Sequence, residues 1–328
     1  MPAKGNAAPT LMDVANRLDP EGKIAAIVEM LSKTNEILED MVVIEGNLPT
    51  GHKSVIRTGI PKPAWRKLNY GVKAGKSTTV PVTDTCGMLE TYSKIDKAVA
   101  DLNGNTAEFR LSEDKAFLEG MNQEMAETLF YGDTDKHPDR FMGLFARFNT
   151  TDEKKAASAA NVIDAGGTAA NNLTSAWLVA WGDQTVHSVY PKGSQAGLHH
   201  KDLGEVTLTD ADGGEYQGYR THYKWDLGLV VRDWRYVVHI TNIDLATITD
   251  DKLIDIFEEA SEALPNHTMG KPVFYMNRQL RTRLRRALRN AKNVHLTLDQ
   301  AAGRKVISFD EIPVKRCDAI TNTQAKVS

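Results

Sequence analysis

Residues 129–149, LFYGDTDKHPDRFMGLFARFN, place Asp133, Asp135, His137 and Asp139 at alternate positions, a spacing that could offer oxygen and imidazole ligands to a cation. A calcium loop of the EF-hand type needs Gly at its sixth position and Glu at its twelfth. Counted from Asp133, those positions hold Pro138 and Leu144. The expectation is therefore a polar corner: Pro138 blocks helix continuation, and Phe141, Met142, Leu144, Phe145 and Phe148 turn back to a core. GVKAGKST, residues 71–78, is one residue short of the spacing of a phosphate-binding loop. It runs into TTVPV, which reads as a strand, whereas such a loop must open a helix whose N–H groups meet the phosphates. His199 and His200 are neighbours on an expected strand and point to opposite faces, with no Cys or carboxylate cluster at ligand spacing. Gly-x-Ser-x-Gly, Gly-x-Gly-x-x-Gly and His-Glu-x-x-His are all missing from the sequence. Catalysis finds no foothold, and no metal or cofactor is expected.

The strongest local charge feature is NRQLRTRLRRALRN, residues 277–290. On a helical wheel Leu280, Leu284, Ala287, Leu288 and Ala291 form an apolar stripe, and Arg278, Arg281, Arg285, Arg286 and Arg289 spread over the opposite side. Such a face can lie on nucleic-acid phosphates, pair with carboxylates of a neighbouring subunit, or simply be solvated. A nucleic-acid-binding protein using this helix is thus one candidate function.

The elements that would position these residues follow from patterning. Asp19-Pro20-Glu21 reads as an N-cap with a first-turn proline, and Ile24, Ile27, Val28, Leu31 and Leu38 recur at helical spacing to about Met41. Lys33, Glu36 and Glu39 are left for water, so this is an amphipathic arm in need of a partner surface. From about His52 to Leu102, Gly and Pro punctuate short Val-, Ile- and Thr-rich runs that read as strands and turns. Apart from Trp65, Leu68 and Tyr70 the segment has little apolar content. Either a projecting hairpin that is buried only against another molecule or a loose surface insertion fits. Ser112 with Glu113 and Asp114 reads as the start of a second helix, whose Phe117, Met121, Met125 and Leu129 form one stripe. SAWLVAWG, residues 175–182, opens a strand-rich section with a Gly213-Gly214 turn. Residues 250–264 read as a helix ended by Pro265, KPVFYM as a strand, 277–290 as a helix, and FDEIPVKRCDAI as a closing extended segment.

Composition narrows the classes. Hydrophobic residues at 41% and charged residues at 25% are ordinary for a globular protein and argue against wholesale disorder. Forty basic and forty-three acidic residues give a net charge of −3, so any nucleic-acid contact must be local. Cys86 and Cys317 are too few for a disulfide framework, which points to a reducing compartment. No run reaches the ~18 apolar residues of a membrane span, and MPAKGNAAPT lacks the apolar core of a signal peptide. A cytoplasmic protein with no membrane contact is expected.

Taken in order, several segments carry a resemblance: GIPKPAWRKLNYGV (59–72), EMAETLFYGD (124–133) with RFMGLFARFN (140–149), VYPKGSQAGLHHKDLGE (189–205), YKWDLGLVVRDWRYVVHITNID (223–244), VFYMNRQLRTRL (273–284) and IPVKRCDAI (312–320). The chain resembles the major capsid proteins of tailed double-stranded DNA bacteriophages of the short-tailed type, which share the Hong Kong 97-like capsid fold. The resemblance implies an α+β fold with an N-terminal arm over 1–50, an extended β-hairpin loop over 51–110, a peripheral domain with a spine helix and sheet over 111–249, and a mainly axial domain over 250–328. In the commonest version of the fold the sequence ends in peripheral-domain strands. Here a helix, strand and helix like those of the axial domain come near the C terminus, which leaves the connectivity open to rearrangement.

The implied function is self-assembly as hexamers and pentamers into an icosahedral shell around the phage genome, in a virion assembled in the host bacterial cytoplasm. Implied partners are other copies of the chain, scaffolding and cement or decoration proteins, a portal, and packaged DNA through non-specific contact. Trp65, Arg66 and Tyr70 on the loop and Ile27 and Leu31 on the arm are the implied inter-subunit contacts. Arg278, Arg281, Arg285 and Arg289 are candidates for DNA or inter-subunit charge contacts. Some members of the family join subunits through a Lys–Asn isopeptide bond; no motif here assigns its lysine, asparagine or acid, and that chemistry is not carried over.

Overall fold

The computed structural model describes residues 33–328 except 105, 211, 291–295, 302 and 303, with side chains for the same residues less 103, 288–290, 296–301 and 304–307. In chain order the elements are α1 (Ile37–Asp40), β1 (Val43–Glu45), β2 (Gly51–Gly59), β3 (Thr78–Thr85), β4 (Gly87–Asp96), α2 (Lys97–Ala100), α3 (Thr106–Tyr131) and α4 (Leu144–Arg147). They continue with β5 (Val162–Asp164), β6 (Thr174–Trp181), β7 (Val186–Tyr190), β8 (Leu198–Thr209), β9 (Glu215–Val231), β10 (Val237–Ile243) and α5 (Asp250–Glu262). β11 (Lys271–Met276), α6 (Arg278–Asn290), β12 (Leu296–Ala301), β13 (Arg304–Phe309) and β14 (Ile312–Arg316) complete the set. The mixture is α+β, as the sequence implied.

Two compact units interleave along the chain. The larger holds Asn35–Gly87, Glu127–Ala196 and Leu227–Ser328. Its centre is β6, buried along its whole length and flanked by antiparallel β10 and β11. Period-two alternation decides what each β6 side chain does. Ala176, Leu178 and Ala180 face a core completed by Ile254 and Phe257 of α5 and by Leu280 and Leu284 of α6. Trp177 lies on the other face, stacked on His239 at 3.8 Å, with Phe148 edge-on at 6.2 Å. The two helices form where patterning places them. Thr249 caps α5 by accepting the Lys252 N–H, and Asn277 caps α6 by accepting the Leu280 N–H at 2.9 Å.

The other unit includes Met88–Ala126 and Gly197–Asp226. Here β8 pairs antiparallel with residues 215–226 of β9, and β4 lies on the other side of β9. A small core of Ile95, Ala100 and Phe109, with Val99 and Tyr219 against it, joins the sheet to the first turns of α3. Lys97–Glu205 at 2.7 Å and Arg110–Asp202 at 2.6 Å add exposed ion pairs. The helix begins at Thr106, six residues before the Ser112 start read from the sequence. Burial of Phe109 explains the extension, because nothing in TAEFRL opposes a helix and tertiary packing outweighs a capping preference. Of the expected stripe, Met121, Met125 and Leu129 are buried and Phe117 is half-buried.

Candidate functional site

The β2–β3 ribbon of the larger unit is exposed along most of its length away from its root. Its strands pair from Gly51↔Thr85 to Gly59↔Thr78, with a register shift between Arg57 and Gly59. Residues 60–77, beyond the pairing, contain no helix or strand. A turn there is closed by the Tyr70 N–H on the Lys67 carbonyl at 3.2 Å, with Asn69 in the left-handed region at φ 66°. Trp65 is wholly exposed, and Ile60, Leu68 and Tyr70 stand 70–88% in solvent. Large apolar side chains left this exposed are a feature that interaction surfaces share. GVKAGKST lies in this tip and runs into β3 rather than a helix, so it has no phosphate-binding geometry.

The root of the ribbon is built differently. Arg147 at the end of α4 donates to Asp84 at 2.7 Å, to the Leu229 carbonyl at 3.0 Å and to the Met142 carbonyl at 3.3 Å. Asp84 is buried, so the pair is screened little by salt. His52 meets His187 edge-on at 5.7 Å. Burial, then the nearby charge of His52 and Arg232, lowers the His187 imidazole to about 4, and burial with Arg232 also lowers His52. Both rings are held neutral at physiological pH. A Cβ at Gly51 would sit 2.0 Å from the Asp84 carbonyl oxygen, so the two strands can approach there only without a side chain.

The polar stretch after α3 is a corner. Asp133 accepts the Asp135 N–H at 3.0 Å and pairs with Lys136 at 2.9 Å, and the Lys136 hydrogen bond lowers its carboxyl. The corner is locked by two glycines: the Gly143 N–H donates to the Gly132 carbonyl at 2.9 Å. A Cβ on Gly143 would lie 2.6 Å from the Thr128 oxygen, and one on Gly132 would lie 2.3 Å from the Phe141 oxygen. His199 and His200 lie on β8 opposite Lys224 and Tyr223. Among the described residues no group of three or more His, Cys, Asp or Glu side chains is placed to hold a metal ion.

The arginine helix divides. Leu280, Leu284 and Ala287 are buried, as the wheel requires. Arg278, Arg285 and Arg286 are exposed, whereas Arg281 is half-buried with Glu36 at 4.0 Å and loses proton affinity chiefly through burial. Arg283 pairs with Asp250 at 2.8 Å and donates to the Ile248 carbonyl. Two arginines of the helix are therefore engaged inside the fold. The side chain of Arg289, and Ile27 and Leu31 of the arm, lie outside the described residues. Glu36, expected to face water, instead accepts the Arg316 N–H at 3.2 Å.

Periodicity passes over one signal that the ribbon carries in its charge. Residues 51–83 hold seven Lys or Arg side chains, Lys53, Arg57, Lys62, Arg66, Lys67, Lys73 and Lys76, and no carboxylate. The ribbon is thus strongly basic on a chain whose overall charge is near zero.

The comparisons with known proteins agree with this geometry. A model of the family described as Major capsid protein GP7 matches residues 19–328. A chain in the structure of bacteriophage Epsilon15 is 41% identical, with 100% of this chain and 99% of that chain covered and a TM-score of 0.75. The capsid of bacteriophage JBD30 gives a TM-score of 0.50 at 11% identity over 90% of this chain and 95% of that one, a likeness of fold. No curated protein matches. This chain belongs to the major capsid protein GP7 family: it is a shell-forming protein of a phage virion, built on the Hong Kong 97-like fold.

Proposed function

We propose that copies of this chain assemble as hexamers and pentamers into a closed icosahedral shell around double-stranded DNA, with a structural role and no catalytic one. The observation that carries the reading is the bare apolar ribbon tip, with Trp65 wholly exposed and no helix or strand over residues 60–77. A two-stranded ribbon of this kind is marginal in water and becomes stable when it lies on another molecule. In a closed lattice each copy supplies the surface for the next, and modest contacts add through effective concentration. Trp65, Arg66 and Tyr70 make the inter-subunit contact of the loop, and Ile27 and Leu31 that of the arm. The arm spans 1–50, the extended loop 51–110, the peripheral domain 111–249 and the mainly axial domain 250–328. Scaffolding and decoration proteins and a portal are further partners that the family reading adds, with assembly in the host bacterial cytoplasm. DNA contact is non-specific and falls first to the exposed Arg278 and Arg285.

The test is assembly. The protein expressed alone and with its genomic neighbours is examined by negative-stain microscopy and sedimentation, beside a variant in which residues 60–77 are replaced by Asn-Gly, a turn that closes two-residue hairpins. The parent is expected to give uniform closed particles or rings, and the variant a folded subunit that forms neither. A parent that stays a monomer or dimer in both preparations overturns the shell reading. Intact shells from the shortened variant overturn the role of the loop.

A further inference from the structure

The root of the ribbon holds more polar atoms than it pairs. His52 on β2 and His187 on β7 meet edge-on at 5.7 Å, and the Nδ1 of each ring is buried without a hydrogen-bond partner among the described residues. His52 and Asp84 are register partners across β2 and β3, so their side chains share one face of the ribbon. Asp84 gives its Oδ1 to Arg147 of α4 at 2.7 Å, while its buried Oδ2 is unpaired. Ser54, two residues along the same strand, adds an unpaired buried hydroxyl. Buried polar groups are ordinarily hydrogen-bonded, so four unpaired atoms in one contact are costly at neutral pH. One proton changes the pairing. The charged groups that face the two rings are Arg232, which opposes a cation on either, Asp84, which favours one on His52, and Asp183, which favours one on His187. In the imidazolium both ring nitrogens are donors, and a proton taken from solvent by His52 places such a donor across the ribbon from the unpaired Asp84 oxygen. The same charge is repelled by Arg232.

We propose that His52 is a proton-operated latch at the ribbon root: once protonated it draws Asp84 away from Arg147, and the ribbon comes off β7 and α4 with its own two strands still paired. The latch belongs to the single subunit and does not depend on the assembly reading. Its sign follows from linkage. In the closed root, burial and Arg232 hold both rings below their ordinary value of 6.5. In the open root each ring regains that affinity, so the latch is closed above about pH 6.5 and opens as pH falls below it.

Cys86, the residue after β3, is a reporter already in place. Its thiol donates to the Val189 carbonyl of β7 at 3.7 Å and is half-buried, whereas Cys317 is fully buried in the same unit. Unassembled subunits are treated with a dipyridyl disulfide from pH 7.5 to 4.5, each rate is divided by that of glutathione at the same pH, and the labelled cysteine is identified by mass spectrometry. Cys86 is expected to react at least tenfold faster at pH 5 than at pH 7.5, with Cys317 still protected. His52→Phe keeps a flat ring that binds no proton and is expected to abolish the rise. Arg232→Gln removes the cation that opposes protonation and is expected to move the midpoint to higher pH, a change that lost packing alone does not produce. A flat Cys86 rate in the parent, a rise that persists in His52→Phe, an unshifted midpoint in Arg232→Gln, or both cysteines becoming reactive together overturns the proposal.

Discussion

Replacing Arg147 with Ala tests how the ribbon is anchored. In the parent, one guanidinium nitrogen serves Asp84 at 2.7 Å and the carbonyls of Leu229 and Met142 at 3.0 and 3.3 Å. Asp84 is 5% exposed at its side chain and Arg147 15%, so water cannot take the place of the lost cation without opening the root of the ribbon. Removing one partner of a buried pair costs roughly 3–5 kcal/mol, because the remaining charge stays desolvated. With about 2.1 cal/mol/K of unfolding entropy per residue, a chain of this length has a total near 0.7 kcal/mol/K, so ~4 kcal/mol lowers the melting temperature by about 6 °C. Calorimetry on unassembled subunits at pH 7 reads that shift directly. A double variant, Asp84→Asn with Arg147→Met, removes both charges and is expected to recover most of the loss, since an apolar replacement of a buried pair is often neutral. A single variant that melts within about 1.5 °C of the parent, or a double variant no better than the single, would falsify the anchoring argument.

Acidification should weaken the subunit through two buried histidines. Burial holds His187 at about 4 and His239 at about 3, both below the ordinary imidazole value of 6.5, so the unfolded chain takes up these protons first. Stability is fully present above about pH 6.5 and is lost as pH falls towards 4, by up to about 1.4 kcal/mol per pH unit for each ring. In His187→Phe the dependence of melting temperature on pH between 6.5 and 4.5 should flatten by one proton's worth; an unchanged slope would refute the assignment. Gly143→Ala drives a Cβ to 2.6 Å from the Thr128 oxygen and 2.8 Å from the Gly132 nitrogen, both backbone atoms, and should cost about 1–3 kcal/mol in denaturant unfolding. Asn277→Ala removes the α6 cap and the donor to Thr174 and Asn322, with an expected loss of about 1–3 kcal/mol in the same assay.

Much of the larger unit was legible because its signals are local. SAWLVAWG and KPVFYM are short apolar runs bounded by breakers, and α5 has its cap at Thr249 and ends before Pro265. The corner after α3 was also readable, since a failed calcium pattern with a central proline leaves a turn as the simplest structure. The features that stayed hidden depend on partners far away in sequence. The early start of α3 is set by packing of Phe109 on Ile95 and Ala100. Arg281 looked like part of a free basic face because its partner, Glu36, lies 245 residues away, and a helical wheel holds no information at that range. Glu36 was set aside for water for the same reason.

The ribbon shows the opposite case, in which the sequence carried more than patterning extracted. Periodicity finds little in residues 51–83, because a two-stranded ribbon has no internal core to make periodic. Charge bias survives where periodicity fails, since complementarity to a partner constrains side-chain sign whatever the backbone does. Seven basic groups with no carboxylate, on a chain of net charge −3, set this segment apart from the rest of the sequence. An insertion under no such constraint has no physical reason to exclude Asp and Glu over thirty-three residues while the rest of the chain is acidic on balance.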